Sequence, residues 1–291
     1  MKIAILGVKG FLGKKLSRQL INQGVQVIGY VLGDPEVEDL GFECRDVTEL
    51  LGGKSSKTDI FDVTINLAAR RSTRANPITD ERVIEFCYEI PKRFLTNTTS
   101  EKTLVINTST YIQNFYGILG NTVDSYSKSK EKLSKFLEEN SRLKNLNILD
   151  LYLFTLYGID DRQSRLVPML MDAAHSGEEI LLSPGHQLMN LLYVEDAVQN
   201  IIRVISDPME TSYRKHFLWD ESYFSVRDLI SKIETVVQKK INCAWGARPY
   251  VGHEMMEPWP VPMTQLPNFE IHTSLDEGLR AIWTSRNSST D

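Results

Sequence analysis

Apolar residues come in short, regularly spaced runs along the first half of the chain. Lys2-Ile3-Ala4-Ile5-Leu6 ends at Gly7, which predicts a short strand buried in a parallel sheet. From Phe11 to Asn22 the apolar positions change period: Leu12, Leu16 and Leu20 recur every fourth residue, the stripe of a packed helix. Further strand-like runs follow at Val25–Val31, Val63–Ala68, Leu104–Ile106 and Ile148–Phe154, separated by helix-compatible stretches. Strand and helix alternating over about 150 residues predict βαβ units. The expected fold class is α/β, with a doubly wound parallel sheet.

After Gly158 the pattern changes. Prolines and short mixed segments dominate, with Pro168, Pro184, Pro208 and the run from Pro249 to Pro267. Residues 159–283 are expected to form a smaller lobe, mainly for substrate, with some return to the sheet. The polar end, 284–291, is expected to fray.

Composition narrows the function classes. The chain has 291 residues, 42% hydrophobic and 24% charged, with a formal net charge of −5, so a polyanion-binding surface is not expected and nucleic acid is a poor partner. Cys44, Cys87 and Cys243 share no metal-ligand spacing and read as reduced structural thiols. The five histidines are scattered, and no metal site is expected. The apolar run Ile3–Leu6 is too short for a signal peptide, and no stretch approaches the roughly 20 apolar residues that span a bilayer. A cytoplasmic protein without a membrane segment is expected.

The richest chemistry lies at Gly7-Val8-Lys9-Gly10-Phe11-Leu12-Gly13, where the first strand turns into the first helix. The first glycine permits the tight turn, the second lets backbone approach a diphosphate, and the third lets helix pack on strand. The helix start offers N–H groups and a positive dipole end to phosphates. Residues 1–158 therefore read as a dinucleotide-binding domain. An acid at the end of the second strand would accept hydrogen bonds from an NAD ribose. Here that strand ends Gly29-Tyr30-Val31-Leu32, with no acid before Asp34, while Lys9 lies in the glycine loop. Both features favour NADP(H) over NAD(H), although a loop lysine is also compatible with plain solvation. Asp46, after the third apolar stretch, is a candidate for the adenine amino group.

A second constellation opens the helix after residue 124. Tyr126, Lys130, Leu133 and Leu137 share one stripe, which puts a lysine in the middle of a packing face. A buried ammonium is costly without a purpose, and beside a phenol it lowers the phenol's pKa toward neutrality. Lys128 points elsewhere. Upstream, Thr108-Ser109-Thr110 closes a strand with three hydroxyls, at the strand end where this fold class presents ligands.

The glycine loop at 7–13, the hydroxyls at 108–110 and Tyr126-x-x-x-Lys130, in that order, resemble the extended short-chain dehydrogenase/reductases. The resemblance extends through Asn66-Leu67-Ala68-Ala69, Leu156-Tyr157-Gly158, Leu192-Tyr193-Val194-Glu195-Asp196 and Ser274-Leu275-Asp276-Glu277-Gly278-Leu279. It implies a Rossmann-like fold in which Tyr126 is the acid and Thr110 its hydroxyl partner, with Ser109 as fallback. Lys130 would tune the phenol and hold the nicotinamide ribose. The cofactor would run from Gly7, Lys9, Gly10, Phe11, Leu12 and Gly13 past Asp46 to Leu67, Ala68 and Ala69.

Trp245-Gly246-Ala247-Arg248-Pro249-Tyr250 is similar to 4-ketoreductases acting on nucleotide-linked 4-keto-6-deoxy sugars, such as those making abequose, paratose and fucose. Two arginines that usually hold the diphosphate are replaced by Met189 and Val251; Arg165 or Arg248 would have to substitute. Arg70, Arg71 and Arg74 form either a substrate loop or a solvated basic one, with Arg71 the candidate contact. Tyr111, following Thr110, stands where dehydratases of the family place an acid. By the same resemblance, the helix from Tyr126 and the stretch Thr79–Leu95 pair two copies into a homodimer. The expectation is NADPH-dependent reduction of a sugar keto group. The alternatives are a nucleotide-sugar epimerase that retains its NAD(P), or a non-catalytic dinucleotide sensor.

Overall fold

The alternation of strand and helix is realised almost residue for residue at the start. The computed structural model describes the chain except residues 34–40, 52–59, 73–76, 162–163, 209–212 and 289–291. It opens with β1 (Lys2–Leu6), α1 (Phe11–Asn22), β2 (Gln26–Val31) and β3 (Cys44–Asp46). A one-turn helix, α2 (Thr48–Leu51), leads to β4 (Val63–Asn66). Next come α3 (Asp80–Ile84), a π turn at Glu85–Glu89 and α4 (Ile90–Thr98). β5 (Leu104–Thr110) and short 3₁₀ turns at Tyr111–Gly117 precede α5 (Ser125–Lys144) and β6 (Asn147–Leu153).

The remainder runs β7 (Thr155–Tyr157), α6 (Leu166–Ser176), β8 (Ile180–Leu181), β9 (Leu188–Met189), β10 (Leu191–Tyr193) and α7 (Val194–Ser206). It closes with β11 (Tyr213–Leu218), β12 (Phe224–Ser225), α8 (Val226–Val237), β13 (Cys243–Ala244) and α9 (Leu275–Ser288). The tail expected to fray from residue 284 is thus helical through Ser288, because Leu279 and Ile282 of the same helix are buried and carry its end along.

The central sheet has the order β11-β6-β5-β4-β1-β2-β3. Pairing is parallel throughout β3-β2-β1-β4-β5-β6, so the winding reverses between β1 and β4. That is a doubly wound sheet, as the alternation predicted, and the reversal opens a crevice at the strands' carboxyl ends. The central strands are apolar on both faces, as strands covered by helices must be. Ile3, Ala4, Ile5 and Ile65 are fully buried.

Two compact units divide the chain. The first comprises Met1–Leu153, Val198–Phe217 and Pro262–Leu266; its core packs Ala4, Ile28, Tyr30, Phe94, Leu133 and Ile148. The second comprises Phe154–Ala197, Leu218–Val261 and Pro267–Asp291, around Tyr157, Leu170, Met171, Tyr193, Leu229 and Leu279. Within the second unit, Asp196 accepts the backbone N–H groups of His272 and Thr273 at 3.3 and 3.1 Å. The Ser274 and Glu277 side chains then cap α9 reciprocally, each accepting from the other's backbone N–H. The motifs around residues 193–196 and 274–279 are joined there. Met255 and Trp259 are buried in this unit, while Met256 is exposed.

Candidate active site

The turn from β1 into α1 is built from backbone alone. Gly7 has a φ of +87°, and a Cβ there would stand 3.0 Å from Ala68 N and Leu67 C. A Cβ on Gly13 would lie 2.3 Å from the Gly7 carbonyl oxygen, so helix and strand close to a distance no side chain permits. Gly10 N donates to Gly7 O at 2.9 Å, and Gly10 caps α1 in an extended conformation without a side-chain hydrogen bond. The first-turn N–H groups and the dipole of α1 therefore face the crevice, where an anion would meet them. Leu12 packs into the core, and Phe11 is half-buried.

Flanking residues set the charge around that turn. Burial pushes the Cys44 thiol up, and the Lys9 ammonium opposes this, so the Lys9 charge reaches the start of β3. Val31 is buried and Leu32 is 42% exposed, so the end of β2 presents no carboxylate. Asp46 is half-buried and uses Oδ1 to accept the N–H of Thr48 at 2.9 Å, which starts α2. Asp34 and Arg74 lie outside the described residues.

Lys130 is the central oddity of the first unit. It is 1% exposed, and its Nζ donates to Ala68 O and Thr108 O, both at 2.8 Å. One side chain thereby ties α5 to the ends of β4 and β5. Burial pushes its pKa below the ordinary lysine value, opposed by the Asp150 carboxylate and, only if its thiol were ionised, by Cys87. Cys87, in the π turn, is fully buried; its Sγ accepts from Arg70 N at 3.4 Å and donates to Arg70 O at 3.3 Å. Burial raises that thiol, so it stays neutral beside Lys130.

One turn ahead of Lys130, Tyr126 is half-buried, with the Arg71 guanidinium 5.9 Å above its ring. Arg71 is held by Asp124 at 2.9 Å, and Asp124 also caps α5 by accepting Ser127 N at 2.7 Å. Burial alone would raise the Asp124 carboxyl, but the Ser127 and Arg71 donors outweigh it and hold it below its usual range. Lys128 is exposed.

The three hydroxyls of β5 divide by face. Thr108 Oγ1 donates to Asn66 O at 3.0 Å. Ser109 Oγ turns inward and donates to Asp150 Oδ1 at 2.7 Å. Thr110 ends the strand, buried, with its N–H donating to Gln113 Oε1 at 2.9 Å. Asp150 belongs to a polar cluster that the sequence reading passed over, because it sits inside the apolar run of β6. The signal was an acid set between Leu149 and Leu151 in a largely apolar strand.

Gly7, Gly13, Leu67, Ala68, Thr110, Tyr126, Lys130 and Arg71 are thus gathered in the first unit. Arg165 and Arg248 belong to the second. There Arg165 pairs with Asp161 at 3.2 Å ahead of α6, and Arg248 is exposed with its N–H on Leu182 O. Met189 is half-buried in β9, and Val251 is exposed.

A parallel sheet that reverses beside a glycine turn, with a buried lysine four residues after a tyrosine, defines the class: a Rossmann-like, doubly wound α/β enzyme. More specifically, residues 3–217 match the NAD dependent epimerase/dehydratase family, and the chain belongs to that family. The resemblance to extended short-chain dehydrogenase/reductases is borne out. A CDP-abequose synthase from Yersinia pseudotuberculosis is 26% identical, over 89% of this chain and 92% of its own length. Among solved structures, the UDP-glucose 4-epimerase of Thermotoga maritima superimposes with a TM-score of 0.82 at 18% identity, covering all of both chains. The UDP-glucuronic acid 4-epimerase of Bacillus cereus, in complex with UDP-glucuronic acid and NAD, gives 0.79 at 19% identity, over 99% of this chain and 100% of that one. No helix among the described residues is long and apolar enough to cross a membrane.

Proposed function

We propose that this protein reduces the keto group of a nucleotide-linked 4-keto-6-deoxy sugar, using NADPH, with Tyr126 as general acid. The observation that carries the reading is Lys130: an ammonium kept out of water, one turn below Tyr126, gripping the carbonyls at the ends of β4 and β5. A lysine is held at such cost where its charge does work. The bare start of α1 and the Cβ-free surfaces of Gly7 and Gly13 fit a dinucleotide's diphosphate. Lys9 and the absence of a carboxylate at Val31-Leu32 fit a 2′-phosphate.

A nicotinamide dinucleotide bound there supplies the hydride that the keto carbon gains. Tyr126 gives the phenolic proton to the keto oxygen. Lys130 stabilises the phenolate left behind and holds the ribose. Thr110 hydrogen-bonds the same oxygen; Ser109, bonded to Asp150, is engaged elsewhere. Asp46, Leu67, Ala68 and Ala69 line the cofactor path. Arg71, Arg165 and Arg248 are the candidate substrate contacts. The Yersinia relative supports a CDP-linked sugar as the first substrate to try.

The test is a panel of CDP-, dTDP-, UDP- and GDP-linked 4-keto-6-deoxy sugars with NADPH or NADH. Oxidation of NADPH matched by a new sugar alcohol is the expected result; no oxidation with any member overturns the reading. The 4-epimerase neighbours favour a second reading, in which the protein retains its dinucleotide. Purified protein carrying bound NAD(P) and interconverting C4 epimers, without net oxidation, would select it.

A further inference from the structure

The proposed chemistry makes no use of the most enclosed carboxylate in the first unit. Asp150 is fully buried in the middle of β6. Four side chains donate to it: Asn107 Nδ2 and Ser109 Oγ reach Oδ1, each at 2.7 Å, and Ser134 Oγ and the Tyr213 phenol reach Oδ2 at 2.6 and 3.0 Å. An ionised carboxylate accepts and does not donate, so four incoming bonds suit the charged form. Burial, and then the Asp150 charge, push both Tyr152 and Tyr213 well above the ordinary tyrosine value.

Two of these donors tie the carboxylate to Lys130. Ser134 lies one helical turn after Lys130 on α5. Ser109 directly follows Thr108, whose carbonyl accepts from the Lys130 ammonium. One carboxylate therefore grips both the helix that carries the lysine and the strand that anchors it. Lys130 itself bonds two neutral carbonyls, which favour the ammonium but bring no compensating charge, while its burial disfavours it. Among the described residues, the titratable groups that act on it are Cys87 from the π turn and Asp150 from β6, and Tyr126 lies one turn before it on its own helix. Asp150 in turn faces Lys130, Tyr152 and, from β11, Tyr213. Of the groups around Lys130, the thiol is neutral, which leaves the carboxylate.

We infer that Asp150 is a positioning residue for the reaction: it pins α5 to β5 around Lys130 and supplies the negative charge that keeps this buried ammonium charged. The inference rests on the reductase reading above.

Asp150→Asn in the full chain removes the charge and keeps the shape. The measurements are NADPH affinity and turnover as functions of pH, together with thermal melting. The alkaline limb of both profiles should fall by about one pH unit, the usual effect of losing a close opposite charge. Turnover on that limb should then drop roughly tenfold, with near-normal values at lower pH. Ser134→Ala removes a donor and spares the charge, so it should lower the melting temperature without moving the limb. If both variants only lose stability, Asp150 is scaffolding and the inference fails. Should Asn, whose amide would face four donors, prevent folding, Asp150→Ser takes its place; failure of both to fold at every pH also assigns a scaffold role and overturns the inference. A wild-type protein that binds neither dinucleotide sinks the reductase reading and this inference together. A wild-type protein that turns over, beside a variant with an unmoved limb, sinks the inference alone.

Discussion

The glycine loop and the Lys130 cluster sit in the same unit and are built from opposite materials. In the loop, the geometry comes from what is missing: without side chains at residues 7 and 13, backbone meets backbone at an uncapped start of α1. Around Lys130, polar side chains are packed where an apolar core would be more stable, and each is hydrogen-bonded, Lys130, Cys87 and Thr108 to backbone and Asp150 to four side chains. The loop is contained in seven consecutive residues. The cluster draws on Ala68, Cys87, Thr108, Lys130 and Asp150, which the chain brings together only after β4, β5 and α5 dock. The first kind of site tolerates no added atoms; the second tolerates no missing partner.

Substitutions can break each half of that comparison. The largest effect is expected from Tyr126→Phe, which keeps the ring and removes the proton donor. Turnover should fall about 10²–10⁴-fold, roughly 3–5 kcal/mol in the barrier, with cofactor affinity preserved; near-full activity would refute the assigned acid. Lys130→Met should lower turnover comparably and also weaken NADPH binding about tenfold, as a lost charge-assisted hydrogen bond would. Equilibrium titration separates the two variants. On the loop side, Gly13→Ala puts a Cβ against backbone atoms that cannot yield. A stability loss of about 1–3 kcal/mol, as overpacking typically costs, should come with weaker dinucleotide binding; an unchanged melting curve would show the turn to be looser than described. Lys9→Ala should be milder, narrowing the NADPH-over-NADH preference by roughly fivefold, about 1 kcal/mol. A wild-type preference for NADH would end that argument. Lys128→Met, on the exposed side of α5, should leave all of these measurements unchanged.

How much could be read in advance follows the same division. β1 and α1 have the predicted limits, and the loop between them was legible because its glycine spacing is local. The Tyr126–Lys130 stripe was legible because a lysine on a packing face contradicts its surroundings. The choice between Ser109 and Thr110 was open in the sequence. Strand alternation puts them on opposite faces, but only the Asp150 bond shows which hydroxyl is occupied. Asp150 itself was hidden by Leu149 and Leu151 on either side. In the second unit, β8, β9, β12 and β13 are two residues each, too short for any period to register. The π turn at Glu85–Glu89 left no pattern either, since one extra residue per turn shifts a helical stripe without erasing it. The pairing of Thr79–Leu95 with the Tyr126 helix across a two-fold axis remains a proposal, which light scattering at micromolar concentration tests; a monomer would count against it.

The hydrogen bonds of Lys130 also have a kinetic side. They join residues 62 and 22 positions apart, and Tyr213 reaches Asp150 across 63. Contacts of such sequence separation pay their loop-closure entropy before they return anything, so they tend to form after the local turns. The cluster should therefore be absent from the rate-limiting assembly of the chain and present only behind it. Tyr213→Phe, which removes the contact across 63 positions, would then speed unfolding and leave refolding nearly unchanged, a φ-value close to zero. In that picture the desolvated ammonium acts as a latch, closed last in folding and opened first in unfolding.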